Sequence, residues 1–343
     1  MEATERSRRV LAALVREYIA SGEPVPSSLL VSAAGLGVSS ATVRNILARL
    51  EDEGFVQQPH TSAGRIPTDR GYRFYVDLLL ETKRSMRAAT AVATRLRRES
   101  SGPLIDDVLP QVSHVLSQAS RSVGFAVGPA YTAAVFERVE FVPLSAMRVL
   151  VVIVARGGHV IQKGIDLTEP LDGAELRQAA AYLNEEFSGL PLNRAREAVM
   201  ERVNEERLLY DALVTRAMRL AESTFASLPD KEIYVEGASA LVGEAQGLTL
   251  GTLQALLEMI EEKQKLLHLL TEYMDGPGLT VVIGAEHPDP TMHSFSLIAS
   301  TYENESGIGT VGVIGPTRMR YSRAISVVDG AAQAMSQMLR DLN

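Results

Sequence analysis

The chain has 343 residues, of which 46% are hydrophobic and 22% are charged, and it contains no cysteine. This composition is that of a globular protein of about two domains, not of a disordered or fibrous chain. The lack of cysteine excludes thiol nucleophiles, disulfides and thiolate metal sites, and it fits a cytoplasmic protein. The longest apolar run, residues 149–155, is far shorter than the roughly 20 residues of a membrane-spanning helix, so we expect no membrane partner.

The formal net charge of −8 is unevenly distributed along the chain. Residues 1–100 contain 15 basic and 11 acidic side chains, a balance of +4, so the remaining residues have a balance of −12. A basic head on an acidic body indicates that one domain faces a polyanion. The total charge therefore does not exclude a nucleic-acid partner.

The first 80 residues predict three helices, a small hairpin and a fourth helix. The helical segments, marked by apolar residues at helical spacing, are 4–21, 27–34 and 40–53. Ser39 is expected to cap the third helix and Thr68 the fourth. The two strands, which enclose a polar loop, are residues 55–58 and 65–66. Three helices followed by a hairpin are typical of a winged helix-turn-helix, to which we assign residues 1–80.

The third predicted helix separates an apolar face from a polar one. Its apolar face is formed by Val43, Ile46, Leu47 and Leu50. Arg44 and Asn45 then point away from the core. On a helix that lies in a major groove, exposed arginine and asparagine side chains read guanine and adenine. Hydroxyl groups at the helix start and on the hairpin loop suit phosphate oxygens. The predicted DNA contacts are Ser39, Ser40, Thr42, Arg44, Asn45, Arg49, His60, Thr61, Ser62 and Arg65. The alternative is an ordinary surface helix with solvated polar residues.

A basic helical connector is predicted next, over residues 81–103. Residues 82–98 contain six basic side chains and no acidic one, together with many alanines. The sequence Ser-Ser-Gly-Pro at 100–103 then marks a domain boundary.

The remaining chain predicts a mixed α/β fold with a helical block inside it. Strand patterns recur in residues 104–170 and 231–343, whereas residues 171–230 have a helical pattern only. We therefore predict one α/β domain in two parts, interrupted by an inserted helical domain. Within the second part, the pattern predicts one long helix over 250–274 and a final helix over 328–342.

Patterns that would indicate an enzyme are weak. Gly307–Gly312 spells a dinucleotide-binding motif, but that motif must open a helix and here the pattern continues as a strand. Glu286, His287, Asp289 and His293 could bind a metal, although two prolines among them favour an exposed loop. We therefore predict that the protein is not an enzyme and has no cofactor or metal.

Two groups of residues resemble one family, the heat-inducible transcription repressors HrcA. The first group is SSATVRN at 39–45, LEDEGF at 50–55 and HTSAGRIPTDRGYR at 60–73. The second group is residues 296–298, 309–319 and 321–323. The two groups lie at opposite ends of the chain, so the resemblance covers its full length. Two positions depart from the family pattern: the chain has PVPSS at 24–28, where the family usually shows PVGSR, and His287, where the family usually shows Asn.

The resemblance implies an α+β multidomain fold: a winged helix-turn-helix, a GAF-like domain and an inserted dimerising domain. It also implies a homodimer that represses chaperone operons (groE and dnaK type) by binding an inverted-repeat operator in double-stranded DNA. Heat would release the repressor, and a GroEL-type chaperonin would promote its active form. An alternative is a winged-helix metabolic regulator whose GAF-like domain binds a small-molecule effector, which rests on fold analogy alone.

Overall fold

A computed structural model shows a helical N-terminal head packed on a larger α+β body. The structure describes residues 5–35, 37, 39–60, 63–82, 86–99, 105–130, 134–156, 159–204, 212–225, 231–238, 250–272, 278–304 and 307–341. The domain boundary predicted at 100–103 and the predicted contacts Thr61 and Ser62 lie outside the described residues.

The head has the predicted order of elements. Its helices are α1 (Glu5–Ser21), α2 (Ser27–Ala33), α3 (Ser40–Asp52) and α4 (Asp69–Glu81). Strands β1 (Val56–Gln57) and β2 (Ile66–Pro67) form an antiparallel hairpin between α3 and α4. Its core consists of buried apolar side chains from all four helices, among them Leu14, Leu30, Val43, Leu50 and Val76.

Local interactions fix the ends of α3 and α4 as the sequence predicts. The Ser39 hydroxyl accepts a hydrogen bond from the Thr42 amide at 3.2 Å, and the Thr68 hydroxyl accepts one from the Gly71 amide at 3.2 Å. Gly54 follows α3 with φ = 75°, a conformation that costs glycine little. These caps hold the hairpin at the end of α3.

The body contains an antiparallel five-stranded sheet. Its strands, in spatial order, are β7 (Ile233–Glu236), β3 (Val123–Val127), β10 (Gly307–Pro316), β9 (Phe295–Asn304) and β8 (Leu279–Ile283). Helices α5 (Met86–Glu99), α6 (Ile105–Ser120) and α12 (Tyr321–Asp341) pack together beside this sheet. Residues 311–314 lie inside β10, so the glycine motif at 307–312 belongs to a strand and does not open a helix.

A second, three-stranded sheet corrects the predicted domain boundary at residue 171. Its strands, in order, are β4 (Phe136–Ser145), β5 (Arg148–Ala155) and β6 (His159–Asp166). They share one core with helices α7 (Gly173–Phe187), α8 (Leu192–Asn204) and α9 (Ala212–Phe225). The inserted unit therefore includes β4, β5 and β6 from the segment 104–170, whereas β3 of that segment lies in the five-stranded sheet. It interrupts the body between the paired strands β3 and β7.

Three helices differ from their predicted form. Helix α5 is not a free connector, because Val92 and Leu96 are buried and the Arg97 guanidinium donates to the Gln337 amide oxygen on α12 at 2.6 Å. The helix predicted over 250–274 is divided at Glu262 into α10 (Leu250–Glu261) and α11 (Lys263–Glu272). Helix α12 begins at Tyr321, seven residues before the predicted start. Among the described helices, none combines the length and apolar composition that crossing a bilayer requires.

Candidate nucleic-acid interface

The exposed side of α3 presents Arg44 and Asn45 next to each other. Val43, Leu47 and Leu50 are buried on the opposite side, which fixes the rotation of the helix. In the described part of the chain, neither the Arg44 nor the Asn45 side chain makes a hydrogen bond or an ion pair. Both side chains are therefore free to donate to an external acceptor.

The Ser39 and Thr42 hydroxyl groups at the start of α3 already have partners. The Ser39 hydroxyl caps the helix and lies 3.0 Å from the Thr42 hydroxyl. Ser40, the first helical residue, is half-buried. Each hydroxyl oxygen keeps hydrogen-bonding capacity for a phosphate, since a hydroxyl can donate one bond and accept two.

Two of the predicted DNA contacts are engaged in ion pairs. The Arg49 Nε atom lies 2.9 Å from a Glu53 carboxylate oxygen, one turn further along α3. An Arg65 terminal nitrogen lies 2.8 Å from Glu51, and the Arg65 backbone pairs with Val25 through two hydrogen bonds of 2.9 Å. Arg65 thus holds the hairpin against α3 and the α1–α2 turn.

The described residues at the two ends of the hairpin loop are joined by hydrogen bonds. His60 is exposed, and its carbonyl oxygen accepts a hydrogen bond from the Ala63 amide at 2.8 Å. The Gln58 side-chain amide donates to the Ala63 carbonyl at 2.9 Å. These bonds hold Gln58 and His60 close to Ala63.

Helix α4 fixes the head to the body through an ion pair that sequence reasoning missed. Arg73 binds both carboxylate oxygens of Glu286, with Nε to Oε1 at 2.6 Å, and also donates to the Val281 carbonyl at 2.6 Å. The hydrogen bond and charge of Glu286 raise the pKa of the Arg73 guanidinium. Glu286 is itself held by the Ile283 amide at 2.8 Å. A bidentate pair of this kind sets orientation as well as distance.

The start of α4 makes a second contact with the same turn of the body. The Asp69 carboxylate accepts a hydrogen bond from the Ala285 amide at 2.9 Å. Gly284 has φ = 51° and lies so close that a Cβ at this position would collide with the Asp69 carboxylate. We call the contacts of Asp69 and Arg73 with residues 281–286 the head–body latch.

A pair of buried tyrosines lies next to the latch. The Tyr72 ring on α4 is 5.7 Å from the Tyr321 ring at the start of α12. The Tyr321 hydroxyl lies 2.7 Å from the Ser296 hydroxyl and also donates to the Thr317 carbonyl. Burial raises the pKa of both tyrosines, so both stay neutral at physiological pH. The two groups of residues that carry the family resemblance therefore meet at this junction.

His287, beside the latch, is expected to make stability depend on pH. Burial lowers the pKa of His287 to about 4, below its ordinary value of 6.5. The unfolded chain therefore binds a proton at His287 more readily than the folded chain does. The stabilising effect of the neutral, buried imidazole on the free energy of unfolding is complete above about pH 6.5 and is lost as the pH falls toward 4. Replacing His287 with Asn, the residue usual in the resembled family, should reduce the slope of unfolding free energy against pH by up to about 1.4 kcal/mol per pH unit.

Urea unfolding of the His287→Asn variant between pH 4 and pH 8 measures this difference. His60→Asn, at an exposed position on the hairpin loop, is the matched control and should keep the wild-type profile. Parallel profiles for wild type and His287→Asn would show that the buried imidazole contributes nothing to the acid sensitivity.

Comparisons with known proteins point to one family along nearly the whole chain. The family model described as HrcA protein C terminal domain matches residues 106–325. The heat-inducible transcription repressor HrcA of Geobacter sulfurreducens is 37% identical over 339 residues, covering 98% of each chain. The protein of the same name from Syntrophobacter fumaroxidans is 34% identical over 342 residues, again covering 98% of each chain. These similarities include the head as well as the body.

A solved structure is similar in three dimensions. This crystal structure, described only as that of a hypothetical protein, is 27% identical to the chain and has a TM-score of 0.68. The match covers 99% of each chain. The overall fold described above is therefore similar to that of an experimentally determined structure.

Proposed function

The chain belongs to the HrcA family of heat-inducible transcription repressors, and from that premise we propose that its head is a winged helix-turn-helix that reads operator DNA with α3. The protein is a transcriptional repressor of the heat-shock response and not an enzyme. In the proposed complex, α3 lies in the major groove and the hairpin loop follows the adjacent backbone. The repressed operons would be those that encode chaperones, and the repressor would act in the cytoplasm.

The observation that carries this proposal is the exposed Arg44 and Asn45 pair on α3. Arginine pairs bidentately with guanine and asparagine with adenine, and both side chains are unengaged in the described residues. We assign Ser39, Ser40, Thr42 and the loop residues His60, Thr61 and Ser62 to phosphate contacts. Arg49 and Arg65 are assigned to positioning, because each is held by a glutamate.

A homodimer would place two heads on an inverted-repeat operator. An exposed apolar edge of the inserted unit supports this part of the proposal: Val142, Leu144 and Met147 are 43%, 56% and 43% exposed at the β4–β5 turn. Large exposed apolar side chains grouped together mark interaction surfaces. The half-sites should lie about 34 Å or a multiple of this distance apart, one turn of DNA.

Heat would relieve repression by lowering the folded fraction of the protein. Domains of this size unfold with a large enthalpy, so the binding-competent fraction falls steeply over a few degrees. A GroEL-type chaperonin would promote the active form, because refolding of a multidomain chain competes with aggregation. After heating, such a chain must form the buried head–body junction again in order to refold.

Footprinting on the chaperone promoter of the source genome tests this mechanism. The footprint should be lost after heating and should return faster when chaperonin and ATP are added during cooling. A footprint that survives heating, with no effect of chaperonin on its recovery, would contradict the mechanism. Circular dichroism on the same samples shows whether loss of the footprint follows loss of folded protein.

A further inference from the structure

A cleft of about 400 Å³ lies where the head meets the body, near the latch. The head contributes Arg16, Ile19 and Tyr75, from the second half of α1 and the middle of α4. The body contributes Arg320, Ser322 and Arg323, at the start of α12. Small-molecule sites in proteins occupy about 300–1,000 Å³, so the cleft is large enough for a small organic ligand.

The residues that line the cleft carry positive charge and include no acidic side chain. Its lining contains three arginines and no carboxylate. In the described part of the chain, the side chains of Arg16 and Arg320 form no ion pair or hydrogen bond. Among the described residues, the Arg323 side chain donates through its Nε atom alone, to the Ala119 carbonyl at 2.6 Å. Repulsion between these guanidinium groups would be relieved by an anion.

Three arginines elsewhere in the head have carboxylate partners instead. Arg8 lies 3.6 Å from Glu81, Arg65 lies 2.8 Å from Glu51, and Arg73 binds Glu286. The contrast separates the three cleft arginines from those whose role is to hold elements together. A guanidinium group without an internal partner keeps its full set of donors for phosphate oxygens.

We propose that this cleft binds a small organic phosphate. Its phosphate group would meet the three arginines, whose positive charge is complementary to the roughly −2 charge of a phosphate monoester near neutral pH. Its organic part would pack against Ile19 and Tyr75, the apolar wall on the head side. The ligand would therefore contact both the head and the body.

Such a ligand would stabilise the docked arrangement of the head. A ligand shifts an equilibrium only by its difference in affinity for the two states, and here the site exists only while head and body are together. The consequence for operator binding rests on the proposed function, whereas binding of the phosphate does not.

Phenyl phosphate is the probe for this site. Isothermal titration calorimetry on the full chain at fixed ionic strength should show saturable binding, tighter than for inorganic phosphate and absent for phenol. The Arg320→Gln and Arg16→Gln variants should each weaken binding about tenfold, the loss expected for one charge-assisted hydrogen-bonding partner. Arg340→Gln, an exposed arginine at the other end of α12, is the matched control and should bind like wild type.

The outcomes separate this site from the proposed function. Absence of saturable phenyl phosphate binding, or equal binding by wild type and Arg320→Gln, would overturn the site even if operator binding is intact. Weaker binding of Arg320→Gln to all DNA sequences, without any effect of phenyl phosphate, would assign the arginines to the DNA backbone and also overturn it. Thermal unfolding of each variant without ligand confirms that the protein is folded.

Discussion

Replacement of both Arg44 and Asn45 with alanine should lower operator affinity by about 100-fold. Each residue is expected to contribute about 1–3 kcal/mol through base contacts, and the loss should be smaller on non-specific DNA. Neither side chain supports the fold, since both are exposed and neither has a partner in the described residues. The unfolding free energy should therefore change by less than about 0.5 kcal/mol.

Asn193 and Arg194 offer a matched control for this double variant. They are adjacent, exposed and near the start of α8, so changing both to alanine removes the same two side-chain types from the inserted unit. Fluorescence anisotropy at one salt concentration measures all three proteins. Equal operator affinity for the Arg44/Asn45 variant and the Asn193/Arg194 variant would remove α3 from the recognition surface.

Breaking the head–body latch should have the second large effect. Arg73→Leu leaves the Glu286 carboxylate and the Val281 carbonyl without their partner, which should lower the unfolding free energy by about 1–3 kcal/mol. The lower part of this range applies if water solvates Glu286, which is 36% exposed. The head should then unfold before the body, so that one transition becomes two.

Urea unfolding followed by circular dichroism measures this loss. Arg49→Leu is the control, because it breaks an exposed pair one helical turn apart that is worth about 0.3–0.5 kcal/mol. A double-mutant cycle with Glu286→Gln isolates the coupling between the two residues. If Arg73→Leu lowers the unfolding free energy by no more than Arg49→Leu does, the latch does not hold the head against the body.

The exposed face of α3 could be predicted because it depends on local order in the sequence. Val43, Leu47 and Leu50 recur at helical spacing, and the structure buries all three and exposes Arg44 and Asn45. The caps at Ser39 and Thr68 were equally local. Periodicity and capping chemistry are sufficient for features that lie within one helix.

Contacts between distant segments could not be predicted in this way. Arg73 and Glu286 are 213 positions apart, and no periodic pattern connects them. Strand patterns identify a strand but not its sheet, so β4–β6 were assigned to the body although they share a core with the inserted helices. The ion pairs of Arg49 with Glu53 and of Arg65 with Glu51 likewise cannot be recognised from residue type alone.

Titration of the wild-type protein against two DNA fragments tests the central claim most directly. One fragment contains the inverted repeat of the chaperone promoter, and the other has the same composition with both half-sites scrambled. The account predicts that the inverted repeat binds at least about 10³-fold more tightly at physiological salt, the usual margin of a specific site. Equal affinity for the two fragments would contradict sequence-specific recognition by the head.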